Sequence, residues 1–110
     1  MKRPTVIRVF GKPFAVSFVP RGHSALMDGP KDKEDPGLGI TVLEKQRIAI
    51  DNDLPLEMEQ DTVLHETIHC IEDGMKMDLS EEVVERLAAG LLSVFKENPD
   101  FLRYMSKTRR

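Results

Sequence analysis

One helical segment constrains this chain more than any other. From Leu56 to about Asp73 the apolar residues recur at helical period, and within that stretch lies His65-Glu66-Thr67-Ile68-His69. Histidines four residues apart on a helix stand one turn above the other, so both imidazoles can reach a single metal ion. Such a helix must be packed on one side and face solvent or a cleft on the other. Pro55 suits its first turn, and Gly74 is expected to end it as a C-cap.

On a wheel of about 100° per residue, Leu56, Val63, Leu64, Thr67, Ile68 and Ile71 cluster as the core face. His65 and His69 fall on the opposite side with Met58 and Glu72, and Glu66 lies beside them. A second helix begins after a short connection, with Ser80 as N-cap and Glu81 and Glu82 in its first turn. It runs to about Glu97, where Asn98-Pro99-Asp100 breaks it before a short tail around Phe101 to Met105. Val83, Val84, Leu87, Ala88, Leu91, Val94 and Phe95 form its inward face, and the short connection makes it an antiparallel neighbour of the first helix.

Upstream, Thr5 to Phe10 and Phe14 to Val19 are β-branched and apolar, separated by a turn at Gly11-Lys12-Pro13. They are expected to form an antiparallel hairpin. Arg21 to Leu38 is a long loop containing the charge run Lys31-Asp32-Lys33-Glu34-Asp35. Gly39 to Leu43 and Gln46 to Asp51 are two more strands about a tight turn at Glu44-Lys45. In the last strand, Ile48 and Ile50 face the core, while Arg47, Ala49 and Asp51 face a wetter side. The expected fold is one α+β domain: a small antiparallel sheet of about four strands followed by two main helices.

Composition excludes several classes. The net charge is −3, and basic residues are scattered apart from Lys107-Thr108-Arg109-Arg110, so no nucleic-acid stripe is present. No apolar run approaches the roughly 18 residues of a membrane span. The basic start Met1-Lys2-Arg3-Pro4 is followed by strand-like alternation rather than a signal core, and the single cysteine, Cys70, agrees with a reducing compartment. A cytoplasmic setting is expected, with no membrane and no nucleic-acid partner.

A catalytic zinc wants three protein ligands and one position for water. His65 and His69 supply two. Glu81 flanks the inward face of the second helix more closely than Glu85, and Glu82 points away, so Glu81 is the first choice for the third ligand and Glu85 the runner-up. The remaining candidates are His23 in the long loop, Glu72 and Asp73 as acceptors that orient the imidazoles, and Tyr104 if the tail folds back. Cys70 is expected to pack as a small buried hydrophobe. Zinc would bring its bound water toward neutral pKa, Glu66 would take the proton, and a peptide carbonyl would be attacked. An extended peptide would lie along the sheet edge, at the Arg47 to Ile50 strand or its partner.

The region from Gly39 to Pro99 resembles small phage- and prophage-encoded metallopeptidases related to the ImmA/IrrE type. The resemblance rests on Gln46-Arg47-Ile48-Ala49-Ile50, on Asp61 through His69, on Leu79 through Ala88, and on Asn98-Pro99. It implies a minimal gluzincin-like (zincin-like) domain with Zn2+ on His65 and His69, Glu66 as catalytic base, Glu81 as the third ligand, and a protein or peptide substrate. The interval from His69 to Glu81 is shorter than is usual in that family. The rival expectations are a non-catalytic zincin-fold phage accessory or binding protein, and a helix whose histidines are merely solvated.

Overall fold

The computed structural model describes residues 2–27 and 37–108. The charge run Lys31 to Asp35 and the final two arginines lie outside them. Strand β1 (Val6–Val9) pairs antiparallel with β2 (Lys12–Val19), with Val9 opposite Lys12. The turn is therefore Phe10-Gly11, one residue earlier than expected. Both residues have positive φ, 51° and 79°, which is the backbone sense that matches strand twist in a two-residue hairpin. Pro13 belongs to β2, opposite Arg8, at a position where the alternating ladder asks for no N–H toward β1.

Strands β3 (Gly39–Val42) and β4 (Arg47–Asp51) are antiparallel, joined by a 3₁₀ turn at Leu43–Lys45. The sheet is mixed, however, not antiparallel throughout. β4 lies parallel to β2, with Ala15 opposite Arg47 and Val19 opposite Asp51, and the strand order is β1-β2-β4-β3. The long segment after β2 is the reason. A parallel pair needs a long crossover, and here that crossover carries β3 as its return arm, so β4 comes back into the centre and β3 is left on the edge.

A central strand is covered on both faces, and β4 is buried from Ile48 to Asp51. Ile48 and Ile50 join Phe14, Val16 and Cys70 in the main core. Ala49 packs with Ile40 and with Leu26, which comes from a 3₁₀ turn at Ser24–Met27. The wetter face expected for Ala49 and Asp51 is thus closed by the long loop.

Helix α1 (Leu56–Met75) runs past Gly74, and the left-handed cap is Lys76 at φ 55°. Gly74 has a different purpose: a Cβ there would lie 2.6 Å from Cδ2 of Phe10, so its bareness lets the hairpin turn approach the helix. Helix α2 (Glu81–Glu97) starts on Ser80, whose Oγ accepts the Val83 N–H at 3.2 Å. The expected tail is a third helix, α3 (Pro99–Ser106), with Pro99 in its first turn. Among the described residues no helix is long and apolar enough to cross a membrane.

α1 is packed on two sides rather than one. Val63 and Cys70 meet the main core beneath the sheet, and Gly39 of β3 closes on Thr62 and Glu66. Ile68 and Leu64 pack with Val84 and Ala88 of α2. Leu56, expected in the core, is exposed. Only Val84 and Ala88 of the expected inward face of α2 are fully covered.

Candidate metal centre

The two buried sides of α1 explain where the motif sits. Thr62, Glu66 and Cys70 follow the sheet side, while Leu64 and Ile68 follow the α2 side. His65 and His69 fall between these rows, in the seam where the start of α2 and edge strand β3 flank the helix. Their side chains are partly buried, at 15% and 20% exposure. Glu66 turns inward to 3% exposure, so it sits deeper than the wheel implied.

His65, His69 and Glu81 converge, each offering one atom, with all three atoms within 4.8 Å of one another. His69 Nε2 lies 3.2 Å from His65 Nε2 and 3.6 Å from Glu81 Oε1. Tetrahedral ligands on bonds of ~2.1 Å are separated by roughly 3.4 Å, so these two distances bracket a zinc site. The third, His65 Nε2 to Glu81 Oε1, is 2.5 Å, a hydrogen-bond distance that must lengthen by about 1 Å to admit an ion. Two imidazoles and a carboxylate are nonetheless a donor set that zinc accepts. Glu85, one turn further along α2, is not part of the convergence.

The surrounding groups orient this cluster. Glu72 accepts from His69 Nδ1 at 2.8 Å, which leaves the Nε2 lone pair for the convergence point. Its other oxygen accepts the Leu79 N–H at 2.8 Å. One carboxylate therefore sets the ring of His69 and also ties down the connection that delivers Ser80 and Glu81. Asp73, the other acid considered for this role, instead reaches Lys12 at 3.8 Å.

Thr41 of β3 escaped the sequence reading. Its Oγ1 donates to Glu66 Oε1 at 2.8 Å and lies 3.2 Å from the Glu66 carbonyl oxygen. A threonine in a strand carries no local mark of such a role, because its partner is on a different element. His23 is engaged locally, where its Nδ1 accepts the Ala25 N–H at 3.0 Å. Tyr104 is exposed on α3, beyond the far end of α2 from Glu81. Neither belongs to the cluster. Cys70 is buried, and burial first, then Glu66 and Asp73, pushes its thiol up to about 12.

β4 cannot serve as an edge for a bound peptide, since it lies between β2 and β3. The edge beside the cluster is β3. A cavity of about 550 Å³ between the first half of α1, the second half of α2 and the N-terminal arm is lined by none of the cluster residues. No family model, curated protein or solved structure matches this chain.

Proposed function

We propose that the chain is a zinc-dependent peptidase of minimal zincin-like design. The observation that carries this reading is the convergence of His65, His69 and Glu81 beside Glu66 in a seam bordered by edge strand β3. His65 and His69 would hold the ion from one helix and Glu81 from the next. Zinc, when bound, supplies Lewis acidity and lowers the pKa of a coordinated water.

Glu66 is the group to take a proton from that water and return it to the leaving amine. Thr41 engages one of its carboxylate oxygens and leaves the other for the transfer. Edge strand β3 is the natural place for an extended peptide, which would add as a further strand next to the cluster.

Substituting Glu66→Gln tests this. The variant is expected to keep the fold and stoichiometric zinc, measured by elemental analysis of untagged protein, and to hold a substrate it no longer cuts. A wild-type protein that binds no zinc, or function unchanged in the variant, would sink the proposal.

The depth of Glu66 favours one second reading. A carboxylate only 3% exposed and bonded to Thr41 also suits a non-catalytic clamp between α1 and β3. In that case the cluster would hold metal to join α1 to α2, and Glu66→Gln would lower stability with no activity to lose.

A further inference from the structure

Glu72 is a buried acid, 8% exposed, with each oxygen engaged by a neutral donor. Oε1 takes the His69 Nδ1–H and Oε2 takes the Leu79 N–H, both at 2.8 Å. The second donor lies seven positions further along the chain, beyond the left-handed turn at Lys76. Leu79 packs against the cluster of Ile68, Val84 and Ala88, and Ser80 and Glu81 follow it directly. One carboxylate therefore touches a candidate ligand on α1 and holds the chain just ahead of another on α2.

We infer that Glu72 is a positioning residue that couples the metal centre to the α1–α2 connection, so that zinc binding at His69 and seating of Glu81 reinforce each other. An ionised carboxylate accepts at both oxygens and donates at neither, which is what two simultaneous donors require. With an ion on Nε2 the imidazole becomes more acidic, and its Nδ1–H donates more strongly to Oε1. The carboxylate that fixes Leu79 is then itself held more firmly. Linkage makes the effect reciprocal: a connection already held presents Glu81 to the two histidines and favours the ion.

Glutamine at position 72 keeps the shape but makes the two duties exclusive. Its amide has one oxygen and an NH2 that only donates. If the oxygen takes Leu79, the NH2 faces His69 Nδ1, which must accept. The ring proton then moves to Nε2 and occupies the lone pair the metal needs. If the oxygen takes His69, the NH2 confronts the Leu79 N–H and the connection is released. Alanine removes both bonds and imposes neither tautomer. A side chain that only filled space would be replaced better by glutamine than by alanine, whereas coupling reverses that order for zinc.

The test compares wild type, Glu72→Gln and Glu72→Ala. Nitrogen-15 spectra of the rings at about pH 8, where an ordinary histidine is neutral, read the tautomer with no metal present. The His69 proton is expected on Nδ1 in wild type and on Nε2 in Glu72→Gln. Zinc affinity, from competition with a chelator, is expected to fall about tenfold in Glu72→Ala and at least tenfold further in Glu72→Gln. Exchange of the Leu79 amide is expected to slow when zinc is added to wild type, and to stay fast with or without zinc in Glu72→Ala.

The same His69 tautomer in wild type and Glu72→Gln, or zinc held as tightly by Glu72→Gln as by Glu72→Ala, overturns the inference and leaves the proposed zinc site standing. Where the glutamine variant does not fold, the exchange comparison decides, and equal zinc effects in wild type and Glu72→Ala overturn it. The inference rests on the reading that His65, His69 and Glu81 hold the ion, so a wild-type protein without zinc overturns both.

Discussion

In the proposed peptidase the glutamate that would shuttle protons must be held still without being used up, and one hydroxyl, that of Thr41, is placed to do this. The bond from Thr41 Oγ1 to Glu66 Oε1 spans 25 positions and ties the motif helix to the strand beside it. A hydrogen bond of this kind contributes about 0.5–1.5 kcal/mol net. Thr41→Val is therefore expected to lower kcat/KM by roughly tenfold, with zinc content unchanged, and Thr41→Ser should restore it. Equal rates for all three proteins would remove Thr41 from the site. At this scale the histidines and Glu66 were legible because a helix converts a four-residue interval into a shared face. Glu81 was narrowed to two acids by the same geometry. Thr41 was not legible, since no local pattern says which strand residue will meet position 66.

Elements meet here at unusually short range where β3 crosses α1. A Cβ on Gly39 would fall 2.7 Å from Thr62 Cγ2, 3.0 Å from Ile50 Cδ1 and 3.2 Å from Glu66 Cγ. Gly39→Ala must push the edge strand off the helix, at a cost of about 1–3 kcal/mol. The expected result is a lower urea midpoint with an unchanged slope, and an unchanged midpoint would show that β3 can move freely. The wheel of α1 misread the helix for a related reason. It assumed one buried side, whereas α1 is wedged between a sheet and a second helix, and buried glutamates are acceptable where partners satisfy them. Glu59 meets Arg3 at 2.6 Å and Glu72 meets His69 and Leu79. The starts of α1 and α2 and the end of α2 were legible from Pro55, Ser80 and Pro99, because these are local chemistry, whereas the cap of α1 at Lys76 and the helical form of the tail were not.

At the level of the whole molecule, the crossover between β2 and β4 is pinned by one buried acid. Asp51, at the end of β4, is 1% exposed; it accepts the Asp53 N–H at 2.9 Å and Arg21 Nε at 2.8 Å. These two bonds, the backbone one first, hold its carboxyl below the usual range. A carboxyl depressed in the folded state adds stability that is fully present above its unfolded pKa of ~3.9 and is lost as pH falls through the folded value. Denaturation midpoints should therefore fall more steeply below about pH 4 in wild type than in Asp51→Asn. Parallel curves would mean that Asp51 contributes nothing to the pH dependence. The sequence by itself determined the strands, the two main helices and the Ser80 cap, and the face on which His65 and His69 stand, because these follow from periods and contacts within a few residues. The tertiary structure alone decided that β4 lies parallel to β2, that β3 is an edge strand, that Glu66 sits deep against Thr41, and that Glu81 rather than Glu85 reaches the histidines. Each of these depends on which distant segments share a core, and that is settled by burial summed over the whole chain rather than by any local pattern.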